Sequence, residues 1–403
     1  MKRRIGILTS GGDCPGLNAT IRGVAKACYQ MLGTENVEIV GISDGYYGLI
    51  HNICKEMKPD DFSGILTRGG TILGTKRQPF KMMKVIGDDN IDKVKNMKKT
   101  YQSQKLDCLL TLGGNGTHKT SQLLSEEGLN VIGLPKTIDN DLCITDHTPG
   151  FGSAAKYVAT TMQEITRDSS VYSAPSVTIV EIMGRNAGWL TASSVVLHAN
   201  GEVAPHLIYV PERKFSIEQF LEDTRQQMAK HKAVIIAISE GVADPEAAAF
   251  QSGVTDEFGH KYLSGIGKYL EQVVREQIGC KVRSIELNVM QRCSSHLCSK
   301  TDIDESVQIG AAGVRAALAG ETGIVMTFRR VSDQPYAIVV KSTSAANIAN
   351  QERFLPPAYI NDAGNNITEA AWSYFLPLIQ GECNIRLHNG LPVHFKMQES
   401  VLK

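Results

Sequence analysis

The sequence predicts an α/β protein built of two doubly wound domains with mainly parallel sheets. Three observations lead there. Short apolar runs alternate with stretches of helical length, polar glycine-rich turns directly follow several of those runs, and 403 residues suffice for two or three domains.

The strand-like runs fall at 5–8, 37–40, 109–112 and 131–134, then at 177–182, 207–210, 234–238 and 324–326. Most are continuously apolar, which suits strands covered on both faces. Between them, 18–33, 86–105, 117–127, 153–168 and 215–231 have helical length and composition. Gly265, Ile266, Gly267 and Lys268 look like the end of a Walker loop but lack its hydroxyl and upstream glycine, so they read as a helix start. Turn residues at Pro149, Gly150 and Gly152 place a domain boundary there. The point where the chain crosses back is not fixed by pattern.

Composition excludes several classes of partner. Lys plus Arg equals Asp plus Glu at 42 each, so neither nucleic acid nor a membrane surface is expected, and an anionic ligand needs a local cluster of cations. The nine cysteines are odd in number and scattered, as reduced thiols of a cytoplasmic protein are. Cys293, His296 and Cys298 lie close together, but no second ligand pair follows and a structural zinc site is not expected. The first residues show no secretory signal core, and no run reaches the length of a membrane span.

Chemistry concentrates at the ends of the runs. Pro135, Lys136, Thr137, Ile138, Asp139, Asn140 and Asp141 follow run 131–134, and strand carboxyl ends are where open α/β sheets bind ligands. One cation, one hydroxyl and two carboxylates there offer a phosphate contact, a hydrogen-bond donor and a base to one substrate. Alone, the same residues would also suit a polar turn whose aspartate caps the next helix. Four further stretches argue against that. Gly11, Gly12, Asp13, Pro15, Gly16 and Asn18 open a helix after the first run, and Gly113, Gly114, Asn115, Gly116 and Thr117 do so after the third. A turn from Arg68 through Gly69, Gly70 and Gly74 ends in the paired cations Lys76 and Arg77, and Met183, Gly184 and Arg185 follow run 177–182.

In order and spacing these motifs, with Gln291 and Arg292, resemble the 6-phosphofructokinases over roughly residues 1–330. The resemblance implies phosphoryl transfer from a polyphosphate donor to the 1-hydroxyl of fructose 6-phosphate with Mg²⁺. It implies a donor domain of residues 1–148 plus about 292–345 and a sugar-phosphate domain of 149–291 plus about 346–403. Asp139 is then the general base, flanked by Thr137 and Asp141, with Arg185 acting beside it. Met183, Gly184, Arg185, Glu240 and Arg292 hold the sugar phosphate, and Arg283 reaches across the interface of a homodimer or homotetramer. Gly12, Arg77, Gly113, Gly114, Asn115, Gly116, Thr117 and Lys136 line the donor site, and Asn115, Asp13 and Asp139 are the metal candidates.

The donor follows from two residues that pull apart. By resemblance, a small residue at Gly116 leaves room for ATP where an aspartate would exclude it, whereas Lys136 is the residue of pyrophosphate users. Steric access outweighs an extra cation, so ATP is expected and pyrophosphate is the alternative. Three departures from the family pattern bear on the ligands. Asn115 replaces a metal-binding aspartate, Ser176 an arginine lent to a neighbouring subunit, and Val289 a histidine near the sugar phosphate. Asn115 leaves a catalytically silent regulatory subunit as a lesser alternative, against which the intact Thr137, Asp139 and Arg185 argue. A kinase that shares only the glycine turn would lack both the 135–141 stretch and Met183, Gly184 and Arg185. Arg22 and Lys26, one helical turn apart, match part of an effector site in short relatives or form a solvated helix face.

Overall fold

A computed structural model describes residues 2–76, 78–86, 90–242, 265–349 and 351–394. Its strands are β1 (Arg3–Thr9), β2 (Val37–Ile42), β3 (Cys54–Met57), β4 (Cys108–Gly113), β5 (Val131–Pro135), β6 (Ser176–Ile182), β7 (Leu207–Tyr209), β8 (Ala233–Ser239), β9 (Lys281–Glu286), β10 (Ile324–Asp333) and β11 (Tyr336–Ser344). They form two sheets, in the orders β11-β10-β5-β4-β1-β2-β3 and β7-β8-β6-β9, and Leu387–His388 pairs separately with Leu391–Pro392.

The second sheet is wholly parallel, and the first is parallel from β10 through β5, β4 and β1 to β2. Its two edge strands, β3 and β11, run antiparallel to their neighbours. All eight expected runs are strands. β3, β9 and β11 were not expected, because they are edge strands with wet residues: β9 has no buried residue and β11 alternates half-buried with exposed. β10 extends well past the expected 324–326 because its far half pairs only with β11 and alternates toward solvent.

The longer helices match the spacing. They include α1 (Leu17–Leu32), α2 (Lys93–Ser103), α3 (Asn115–Glu126), α4 (Phe151–Ser170), α5 (Ile217–Met228), α6 (Ile266–Gln277) and α7 (Lys300–Leu318). α2 is shorter than the expected 86–105, starting where the Asp92 side chain accepts the Lys95 amide and caps the first turn. Gly265 stands at the N-cap of α6, as the sequence indicates.

In the first sheet β1 lies between β2 and β4, so the connections leave it in opposite directions and a crevice opens at the carboxyl ends of β1 and β4. One apolar cluster runs from Ile5 and Leu134 through α4 to Ile182 and Ile208, so a continuous core underlies both sheets. Phe375 and Leu378, from the C-terminal segment, are fully buried in that cluster. Each such side chain contributes on the order of 2 kcal/mol by leaving water.

Candidate active site

Carboxyl-end loops of β1, β4, β5, β6 and β8, together with the segment after β9, enclose a cavity of about 660 Å³. Gly12, Asp13, Gly114, Asn115, Gly116, Thr117, Lys136, Thr137, Asp139, Asp141, Met183, Arg185, Glu240 and Arg292 all line it, so most of the residues singled out by sequence meet at one place.

On the first-sheet wall, the 68–76 turn is fastened to the loop after β1. Asp13 accepts the amides of Gly70 and Thr71, each at 3.1 Å, and Asn18 donates to the carbonyls of Gly70 (2.7 Å) and Arg68 (3.0 Å). Thr75 adds a 2.7 Å bond to the Gly11 carbonyl. Asp13 thus uses both carboxylate oxygens to hold the turn.

Lys136 is buried where β5 ends, and its ammonium donates to the Gly12 carbonyl. Burial lowers its affinity for a proton, and the nearby Cys14, Asp13 and Asp139 work against that. Two residues on, the Asp139 amide bonds the Thr137 hydroxyl at 3.1 Å, and Thr148 Oγ1 donates to the Thr137 carbonyl at 2.7 Å. Asn140 takes a left-handed conformation (φ 56°), which asparagine tolerates, and this turn leaves both neighbouring aspartates on the cavity wall.

The opposite wall comes from the second sheet. Ser239 Oγ donates to the Gly184 carbonyl at 2.6 Å, and the Gly184 amide meets Glu240 Oε1 at 3.4 Å. A side chain at position 241 would begin 1.9 Å from the Arg185 carbonyl, so only glycine lets these two loops touch. Arg292 crosses toward the first wall: a Cβ on Gly12 would lie 3.0 Å from its Nη1. The buried Nε atoms of both Arg185 and Arg292 have no hydrogen-bond partner among the described residues. Two guanidinium groups held out of water with an unspent donor each are the signature of an anion site.

Burial and neighbouring cations pull the carboxyl groups of this cavity in opposite directions. Burial raises the Asp139 carboxyl above its ordinary range, while Lys136, Arg292 and Arg185 pull it back down. Asp141 is raised to about 7 by burial, by Asp139 and by Glu352. Glu240 is raised as well, by burial first and then by Asp139. Three carboxyl groups beside three cations can take up a proton and balance an anion in one cavity.

Some expected residues lie elsewhere. Gly113 ends β4 behind the wall, and Gly184 contributes backbone bonds. Arg283 sits on β9 outside the cavity, 3.2 Å from Asp168. Arg77 lies outside the described residues. Val289 is exposed and away from the cavity, and Ser176 starts β6 at the end remote from Met183. Lys26 lines a separate groove between α1, α7 and the β10–β11 hairpin.

Sequence reasoning missed Gln78, Pro79, Phe80 and Lys81, which follow the 68–77 turn into the cavity, and Lys119, which is Asn115 plus one helical turn. The second could have been found from helix periodicity. It also missed Glu352, Arg353 and Tyr374, which reach the 135–141 loop from over 200 residues away and leave no local signal.

The phosphofructokinase family model matches residues 4–316. A pyrophosphate–fructose 6-phosphate 1-phosphotransferase of Xanthomonas campestris is 33% identical over 96% of this chain and 94% of its own length. An ATP-dependent 6-phosphofructokinase of Spirochaeta thermophila is 38% identical over 81% of this chain and 87% of its own. Among solved structures, a pyrophosphate-dependent phosphofructokinase from Marinobacter aquaeolei superposes with a TM-score of 0.83 at 28% identity, over 97% of this chain and 95% of that one. With matching motifs gathered in one cavity and relatives alike over nearly the whole length, this chain belongs to the phosphofructokinase family.

Proposed function

We propose that the protein transfers a phosphoryl group from ATP to the 1-hydroxyl of fructose 6-phosphate, giving fructose 1,6-bisphosphate and ADP in cytoplasmic glycolysis. The observation that carries ATP over pyrophosphate is at Gly116. A Cβ there would meet nothing within 4 Å among the described residues, and Lys119 and Phe80 line the same cavity, which supports room for a nucleotide longer than two phosphates. Pyrophosphate is the second reading, favoured by the buried Lys136 and by the names of the Xanthomonas and Marinobacter relatives. The Lys136 ammonium spends one of its three donors on the Gly12 carbonyl.

In this reading Asp139 takes the proton of the 1-hydroxyl as that oxygen attacks the terminal phosphorus, and the Thr137 hydroxyl, bonded to the Asp139 amide, fixes the carboxylate's approach. Arg185 meets the charge that spreads over the transferred group, using the donor atom that has no partner among the described residues. Arg292 holds the 6-phosphate and Glu240 the sugar hydroxyls, with Met183, Gly184 and Asp141 around them. Gly12, Gly113, Gly114, Asn115, Thr117 and Lys136 surround the donor.

Asp13 accepts the amides of Gly70 and Thr71, one on each oxygen, and no three His, Cys, Asp or Glu side chains gather for a metal among the described residues, so the protein would supply only one or two carboxylates to a Mg²⁺ ion. Mg²⁺ would enter as the chelate of the donor phosphates, whose charge it reduces, on the wall that carries Asn115 and Asp139.

The proposal includes the division into a donor domain of 1–148 plus about 292–345 and a sugar-phosphate domain of 149–291 plus about 346–403. The separate sheets, with β10 and β11 returning to the first, support it. Arg283, half-exposed on an edge strand, supports a homodimer or homotetramer in which it serves a neighbouring copy. Product formation from fructose 6-phosphate with ATP and with pyrophosphate, run in parallel, tests the reading. Turnover with ATP is expected; turnover with pyrophosphate alone overturns the donor assignment, and none with either moves the silent subunit to first place.

A further inference from the structure

The C-terminal segment carries no motif, yet it joins the two walls of the cavity. Glu352 bridges to Leu142 in an antiparallel pair, and the Arg353 amide donates to the Asp141 carbonyl at 2.8 Å. Toward the other wall, Glu352 accepts from Asn186 at 2.8 Å, next to Arg185, and the Arg353 carbonyl accepts from Trp189 Nε1 at 2.9 Å. Glu212 closes the connection by accepting the amides of both Gly188 (2.9 Å) and Leu355 (3.0 Å).

Tyr374 stands at the centre. Its hydroxyl accepts from Asn140 Nδ2 at 2.7 Å and from Arg353 Nη2 at 3.3 Å, and donates to the Asp146 carbonyl at 2.7 Å. The Arg353 guanidinium lies 4.0 Å above the Trp189 ring and 5.5 Å from that of Tyr374, so it is held between the two sides. Asn140 is fully buried and sits between the two cavity aspartates in a left-handed turn that it adopts at some cost. Its amide needs a partner to stay there, and the Tyr374 hydroxyl is that partner.

We infer that Tyr374, together with Arg353, is a positioning residue for the reaction, fixing the Asn140 turn and through it the direction in which Asp139 faces the acceptor hydroxyl. This rests on the reading of Asp139 as base. Near-attack geometry tolerates little displacement, so a loosened turn costs turnover before it costs binding.

The test uses the full chain with whichever donor supports turnover. Tyr374→Phe keeps the ring and its packing but removes the hydroxyl. The expected result is a fall in kcat of about tenfold with both KM values within about twofold. In an Asn140→Gly background, which keeps the left-handed turn but has no amide to hold, Tyr374→Phe should cause no further loss. Unchanged kcat, a change confined to KM, or an equal loss in the Asn140→Gly background each overturns the inference. Asp139→Ser in the same assay separates the two readings: if it keeps near-normal turnover, Asp139 is not the base; if it is inactive while Tyr374→Phe is normal, only the positioning role fails.

Discussion

Two clusters of buried charge adjoin the 135–141 loop, and they are built on opposite plans. In one, His147 lies between Asp146 (2.8 Å) and Glu305 (2.6 Å), Arg330 pairs with Asp146 at 3.1 Å, and Tyr336 donates to Glu305 at 2.8 Å. The imidazole stacks on Phe328 at 4.7 Å, and none of these groups lines the cavity. In the other, Asp139, Lys136, Arg185, Arg292 and Glu240 surround the cavity, and neither arginine Nε atom has a partner among the described residues. Burial and charge are alike in the two. What separates them is satisfaction: the first cluster spends its donors on its own members, whereas the second keeps, among the described residues, two guanidinium donors that face a cavity.

The strongest way to break this comparison is to remove the one carboxylate assigned to chemistry. Asp139→Ser should lower kcat at least a thousandfold while thermal unfolding changes little, because the burial cost of the carboxyl disappears together with its attraction to Lys136 and the arginines. Steady-state assays beside a melting curve decide it, and near-normal turnover would remove Asp139 from the base role. Arg185→Ala comes next. Its unspent donor predicts a loss of roughly a hundredfold in kcat/KM for the phosphorylated sugar, again with a stable protein. If only the KM of the donor changed, the assignment of the two walls would be reversed.

A smaller effect sharpens the donor side. Gly116→Asp should enter open space without strain, so its consequence is electrostatic and steric toward the ligand. ATP use should fall about tenfold more than pyrophosphate use when both are titrated in competition. Equal losses would show that position 116 does not select the donor.

How much of this was legible in the sequence differs by region for the same physical reason. The buried strands were legible because strands covered on both faces are written as largely apolar runs, such as β4 and β5. β3, β9 and β11 were not, since edges with wet residues carry a weaker signal. Asp139 and Arg185 were found because each lies in a short stretch beside a strand end, where chemistry and sequence are local, whereas Arg292, on a short helix after the unexpected β9, was found by resemblance alone. Arg353 and Tyr374 touch the same loop through contacts spanning more than 200 residues, and nothing near them in the chain indicates it. The roles within the cavity come by resemblance to the family. The spent and unspent donors come only from three dimensions.

The satisfied cluster makes the last prediction, and it concerns stability alone. Burial by itself would lower the His147 pKa, but Glu305 and Asp146 more than offset this and raise it to about 9. A histidine whose folded value is raised above an unfolded value of about 6.5 adds stability that is fully present below that pH and is lost as pH rises toward 9. His147→Gln removes the charge and leaves Glu305 and Asp146 facing each other across an uncharged amide. Urea unfolding at pH 6 should show a loss of about 3 kcal/mol, the usual cost of breaking a buried pair, and the gap to the parent should narrow by pH 9.5. Turnover at pH 7 should stay within about threefold, because no atom of this cluster reaches the cavity. A gap independent of pH would mean that His147 is held uncharged, and a collapse of kcat without loss of stability would mean that the two clusters are one.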